Sequence, residues 1–166
     1  LKNLNAISIV IPCYNVENTI LSTIKAIKTS ISKCRANWDW EIIAVNDGST
    51  DSTKPILSNI TNITLINHKR NKSLSSARNT GIYHSVGSYI AFIDADIEVS
   101  DGWFSDMLFE LTTSPNIVGL TGTLRPKNLN NIIPLNQYLF SSYRGHQKSS
   151  KNIYLNYKSF VFSNTI

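Results

Sequence analysis

Short β-branched runs alternate with amphipathic segments along most of this chain, and that alternation is the pattern of βαβ units around a mainly parallel sheet. The strand candidates are Ile7 to Ile11, Glu41 to Asn46, Ile63 to Asn67, Tyr89 to Ile93 and Ile117 to Leu124. Between them the 3.6-residue period predicts helices at about Asn18 to Ser30, Ser52 to Asn59, Leu74 to Ser85 and Trp103 to Thr113. Capping residues precede three of these: Ser49 to Asp51, Ser73, and Ser100 or Asp101. The expected class is therefore α/β, a Rossmann-like open sheet flanked by helices.

Ligands of open parallel sheets bind outside the carboxyl ends of the strands, where loops and helix amino termini converge. The polar clusters of the first half fall at such ends. Pro12-Cys13-Tyr14-Asn15 follows the first strand and Asn46-Asp47-Gly48-Ser49-Thr50-Asp51 the second. His68 to Ser73 follows the third and Asp94-Ala95-Asp96 the fourth. Four loops on one rim predict one site.

With 166 residues and 42% hydrophobic content the chain can build one sizeable core. No stretch reaches the roughly 18 to 20 apolar residues needed to span a bilayer, and the amino terminus lacks the layout of a secretory signal. It begins with Leu1 rather than Met, as an excised fragment or a processed product would. Cys13 and Cys34 have no metal-ligand spacing and read as two reduced intracellular thiols. The net charge of +5 is uneven: eleven acidic and ten basic residues share the first 110 positions. From Leu111 onward there are six basic residues and no acid. That asymmetry suits a face meeting phosphate, anionic lipid or an acidic segment, or equally a solvated basic surface.

In Asp94-Ala95-Asp96, one carboxylate can hold Mg²⁺ or Mn²⁺ against phosphate oxygens while the other accepts from a ribose hydroxyl, with small Ala95 leaving room between them. A solvated turn is the bland alternative. Asp47-Gly48-Ser49 permits a tight turn into a capped helix, and Asp47 could also accept the imide N–H of a base. At about 100° per residue Arg78 falls within the stripe of Leu74, Ala77, Gly81 and Ile82. A guanidinium there needs an internal carboxylate or a nucleotide or pyrophosphate as partner, unless the side chain snorkels to water. Tyr14 either stacks on a base or packs in the core; Glu17 either fixes its loop, contacts a nucleoside or simply opens a helix. Trp38, Trp40 and Trp103 read as core or edge packing. His68, His84 and His146 share no metal-ligand spacing and read as ordinary polar histidines.

Taken together and in order, Ile9-Val10-Ile11-Pro12-Cys13-Tyr14-Asn15-Val16-Glu17, Val45-Asn46-Asp47-Gly48-Ser49-Thr50-Asp51, Ser76-Ala77-Arg78-Asn79-Thr80-Gly81 and Ala91-Phe92-Ile93-Asp94-Ala95-Asp96 closely resemble the family 2 glycosyltransferases. The resemblance runs from about Ile7 to Leu124. It implies a GT-A fold, a nucleotide-diphospho-sugar donor (a UDP-sugar foremost), a Mn²⁺ or Mg²⁺ cofactor and inversion at the anomeric carbon. Carried over by position, Pro12, Tyr14, Glu17, Asp47, Asn71 and Arg78 would line the nucleotide pocket, Asp94 would meet the ribose and Asp96 would bind the metal. Ser73 stands where the family often has Gly, and Ile97 replaces a frequent third acid.

The resemblance also implies a general base in an acidic motif beyond a strand that Phe160 to Asn164 begins. No Asp or Glu follows Glu110, and the sequence ends at Ile166. The base is therefore expected beyond Ile166, and no residue of this chain is expected to be that base. The expectation is thus a donor-binding region at 1–124 and the incomplete start of an acceptor-side region at 125–166, truncated from a longer transferase. Such a fragment is expected to bind donor but to transfer sugar poorly or not at all. The expected acceptor is a glycan, a lipid-linked sugar or a protein, with no nucleic acid partner. The expected setting is the cytoplasm, at the inner face of a membrane or free of it, in building a surface polysaccharide or glycoconjugate. A non-catalytic nucleotide-binding or scaffold module is the competing reading. A nucleotidyltransferase would need a glycine-rich basic loop after the first strand, and a nicotinamide-dependent dehydrogenase a Gly-x-Gly-x-x-Gly there; neither is present.

Overall fold

A computed structural model describes residues 5–113, 119–122 and 160–163. The segments expected at Arg125 to Asn131 and Ile132 to Tyr143, the 124/125 boundary and most of the basic tail lie outside the described residues. The general base expected beyond Ile166 likewise lies outside the described residues.

The elements run β1 (Ala6–Cys13), α1 (Ile20–Lys33), β2 (Asp39–Asn46), α2 (Thr53–Ser58), β3 (Thr64–Asn67), α3 (Leu74–His84), β4 (Tyr89–Phe92), α4 (Trp103–Thr113), β5 (Gly119–Thr121) and β6 (Phe160–Ser163). They form one six-stranded sheet in the order β3-β2-β1-β4-β6-β5. β1 pairs in parallel with β2 and β4, and β2 with β3. β6 is antiparallel to both β4 and β5. The mainly parallel expectation therefore holds for the first four strands, while the Phe160 strand inserts between β4 and β5 and makes the sheet mixed.

All eight residues of β1 are buried, as a central strand covered on both faces requires. Its Val10 carbonyl accepts from Ile93 N at 3.1 Å and its Cys13 carbonyl from Asp47 N at 2.8 Å. By that alternation Pro12 turns its missing N–H toward β4, past the last β1–β4 pair at Val10 and Phe92. The proline thus removes no ladder bond.

On one face α1 buries Ile20, Thr23, Ile24, Ile27, Ser30 and Ile31, a stripe at helical spacing. The four isoleucines join Ile7, Ile9, Ile11, Leu57, Ile93, Phe104 and Leu108 in the larger core. On the other face α3 lies over β1 and β2, and its Ala77 joins Val10, Ile43, Val45, Ile90 and Phe92 in the smaller core. Its buried stripe is narrower than predicted, because only Ala77 and Gly81 are buried while Leu74 and Ile82 are 51% and 39% exposed. Close approach is the reason: a Cβ on Gly81 would lie 2.2 Å from Val10 Cγ1.

Among the described residues no helix is long and apolar enough to cross a membrane. Trp38 packs against Tyr89 with ring centroids 5.6 Å apart, in keeping with its reading as packing.

Candidate functional site

The strand order reverses between β1 and β4, so the crevice outside their carboxyl ends is the topological switch point of the sheet. Four loops meet around it. The loop after β1 is stitched to the loop after β2 by side chains. Asn15 N donates to Ser49 Oγ, and Asn15 Oδ1 accepts from Thr50 N. Val16 N donates to Thr53 Oγ1, Glu17 N to Asp51 Oδ2, and Ser52 N to Glu17 Oε2 at 2.8 Å.

Glu17 therefore fixes its loop and supplies an acceptor at the start of α2, where the Ser52 side chain makes no cap bond of its own. Burial pushes the Asp51 carboxyl up, but hydrogen bonds from Thr53 and the Glu17 backbone outweigh it and hold the group below its ordinary value. Asn15 takes a left-handed φ of 51°, a conformation that asparagine tolerates. The scaffold leaves Tyr14 47% exposed at the rim, while Pro12 is buried near the end of β1.

Asp47 is also committed internally. Its Oδ1 accepts from Lys72 N at 3.0 Å and pairs with His68 Nδ1 at 2.5 Å, and its Oδ2 accepts from Ser73 N at 2.9 Å. The Asp47 side chain is 3% exposed and that of His68 6%. Burial raises the Asp47 carboxyl, but the hydrogen bonds from His68, Lys72 N and Ser73 N outweigh it and hold the group below the ordinary carboxylate range. This carboxylate is the post on which residues 72 and 73 hang. Gly48 completes the fit with a φ of 70° and a would-be Cβ 2.3 Å from the Arg70 carbonyl carbon. Asn71, exposed at the tip of that loop, accepts from Ser73 N through Oδ1.

Ser73 adopts φ 97° and ψ 156°, a region almost reserved for glycine. It is held there by the bonds from its N–H and by its own hydroxyl, which accepts from Ser76 N at the start of α3. The expected cap is present, in a strained backbone.

Arg78 is partly buried and donates from Nη2 to Asp94 Oδ1 at 3.0 Å. Its guanidinium carbon stands 5.8 Å from the Phe92 ring centroid, and its buried Nε has no hydrogen-bond partner among the described residues. The internal carboxylate expected as one partner of Arg78 is present. Asp94 opens a turn closed by Ile97 N to Asp94 O at 3.0 Å. Ala95 does not space the two acids for a ligand as expected: it is buried in the larger core, and its carbonyl accepts from Thr23 Oγ1 of α1 at 2.9 Å. Burial of Ala95 leaves partly buried Asp94 beside Arg78 and Asp96 exposed at the rim.

A metal fits this arrangement. Among the described residues no three His, Cys, Asp or Glu side chains gather as a ready-made cage. Mg²⁺-type sites commonly rest instead on one or two carboxylates plus substrate phosphates, and exposed Asp96 offers hard oxygen donors of that kind.

The sequence placed the loop from His68 to Ser73 on this rim, but His68 read as an ordinary polar histidine and Thr80 had no assigned part in the cluster. The position of His68 just after β3, on the same rim as the other loops, was the available signal.

The family model for glycosyl transferase family 2 matches residues 8–166. The chain belongs to that family. Among its relatives is the UDP-Glc:alpha-D-GlcNAc-diphosphoundecaprenol beta-1,3-glucosyltransferase WfgD of Escherichia coli, 30% identical over 132 residues, covering 76% of this chain and 49% of WfgD. Glycosyltransferase GlyA of Streptococcus pneumoniae is 38% identical over 93 residues, 54% of this chain and 13% of GlyA. The chain thus spans half or less of the length of these relatives. Glucosyl-3-phosphoglycerate synthase from Mycobacterium tuberculosis, solved with Mn²⁺, UDP and phosphoglyceric acid, superposes with a TM-score of 0.66 at 20% identity over 96% of this chain and 56% of that one. S. aureus TarS 1-349 in complex with UDP gives 0.63 at 21% over 76% and 37%. At such identity the likeness is one of fold, the GT-A fold of this family 2 glycosyltransferase chain.

Proposed function

We propose that the switch-point rim is the donor site of a metal-dependent, inverting glycosyltransferase. It takes a nucleotide-diphospho-sugar, with UDP as carrier, and serves a glycan, lipid-linked or protein acceptor in the building of a cell-envelope polysaccharide or glycoconjugate. The observation that carries this reading is the division of labour within one turn: Asp94 is pinned by Arg78 while Asp96, two residues on, is exposed. UDP and Mn²⁺ in the neighbouring structures support the choice of carrier and ion. WfgD, whose name specifies a diphosphoundecaprenol-linked acceptor, supports the lipid-linked class and work at a membrane face.

In this reading Tyr14 stacks on the base, the loop of residues 70–73 with Asn71 walls the nucleoside, and Asp94 accepts from the ribose while Arg78 fixes its orientation. Asp47 acts beneath them by holding the loop, with the remaining acceptor position of Oδ2 directed at the base. Asp96 binds the cation, which when present neutralises charge developing on the departing diphosphate. Residues 1–124 form the donor region and 125–166 belong to the acceptor side. The acid-free stretch from Leu111 to Ile166 offers no carboxylate side chain for the general base that an inverting transfer needs.

The test is calorimetric titration of UDP and GDP in Mn²⁺ and in chelator. Binding should require the metal and fall at least about tenfold in Asp96→Ala. Undiminished, metal-independent binding by the variant would remove Asp96 from the role.

A further inference from the structure

We propose that His68 is a positioning residue of the donor site, fixing through Asp47 which carboxylate oxygen faces the nucleobase. The proposal rests on the nucleotide-sugar reading above and adds a residue to it.

His68 lies one residue past β3, with its backbone N–H bound to the Asn46 carbonyl at 2.9 Å. Its ring bridges two elements: Nδ1 meets Asp47 Oδ1 at 2.5 Å and Nε2 meets Thr80 Oγ1 at 2.9 Å. A carboxylate can only accept, so Nδ1 carries the proton. The Thr80 hydroxyl then satisfies Nε2 from α3, the helix that also carries Arg78. Ring and carboxylate are both almost fully buried, and a buried polar pair of this kind is costly to leave half made.

The bonds on Asp47 are asymmetric. Oδ1 takes two donors, His68 Nδ1 and Lys72 N, which fills its lone pairs. Oδ2 takes one, Ser73 N, and keeps one acceptor position. An incoming base therefore finds a single acceptor of fixed direction. An imide such as uracil, which presents N3–H, is accepted there; cytosine, which presents a lone pair at N3, meets a like-signed group and is rejected. Without the His68 donor, Oδ1 regains a lone pair, the carboxylate can rotate, and the loop it holds through Lys72 N and Ser73 N loses its register.

The amide of His68→Asn can place a donor near the position of Nδ1, whereas the longer His68→Gln places its amide near Nε2. With Mn²⁺ present, UDP affinity should fall no more than about threefold in His68→Asn but about tenfold or more in His68→Gln, with the preference for UDP over CDP shrinking alongside. Thermal unfolding of both variants separates positioning from folding. Equal losses of UDP affinity that track the two melting temperatures, or no loss in either, would overturn the role of His68 alone. Wild-type protein that binds neither UDP nor CDP would overturn the nucleotide reading and this role with it. Independently of any variant, long-range proton–nitrogen correlation spectra of the wild type should show His68 protonated at Nδ1; a neutral ring protonated at Nε2 would also overturn the proposal.

Discussion

Arg78 reaches from α3 to the first residue of the turn after β4, its Nη2 donating to Asp94 Oδ1 at 3.0 Å across the switch point of the sheet. The pair ties the helix on one face to the loop that carries Asp96. Both side chains are about a quarter exposed, at 28% and 21%, so water screens the pair in part.

Removing one partner should therefore cost less than breaking a fully buried pair. Arg78→Met keeps much of the packing on Phe92 but leaves Asp94 without its cation. Stability should fall by about 1 to 3 kcal/mol in urea unfolding, with nucleotide affinity falling as well.

Ser73 sits at φ 97° and ψ 156°, where a side chain costs on the order of 1 to 3 kcal/mol. Ser73→Gly removes that strain and loses only a few tenths of a kcal/mol of capping. The variant should melt at a higher temperature than the wild type, and a lower melting temperature would show that the hydroxyl matters more than the backbone.

At Gly48 the opposite change is informative. A Cβ there would lie 2.3 Å from the Arg70 carbonyl carbon on a backbone of φ 70°, so the loop of residues 70–73 must move to admit it. Gly48→Ala should destabilise by about 1 to 3 kcal/mol. Its effect on UDP affinity should exceed that of an alanine placed at exposed Lys54.

Stability should also depend on pH through Asp47. Its folded pKa lies below the unfolded value of about 3.9. The native state therefore releases this proton more readily, and the contribution is fully present above about pH 4 and lost as pH falls through the folded pKa. Unfolding free energies of wild type and Asp47→Asn should differ most above that pH and converge below it.

Gly81→Ala tests the packing of α3. The added carbon would stand 2.2 Å from Val10 Cγ1 on a fully buried strand, so helix or strand must shift. A loss of about 1 to 3 kcal/mol is expected from overpacking, despite the better helix propensity of alanine.

Four parallel strands, their helices and the rim on which the polar loops gather were legible from residue pattern, because the period of apolar side chains states locally which face is buried. The family was legible too, from four motifs in order. The sequence by itself thus determined the elements, the end of the sheet that carries the chemistry, and the residues offered there. Tertiary structure decided what those residues hold. It placed β6 between β4 and β5, buried Ala95 in the core, turned Arg78 onto Asp94, and joined Asp47 to His68 and His68 to Thr80. It also supplied helix starts from remote side chains, Glu17 to Ser52 N and Ser30 to Phe104 N. The physical reason is that periodicity encodes burial, whereas a hydrogen bond between residues of different elements depends on how helices and loops settle on the sheet, which no local pattern records.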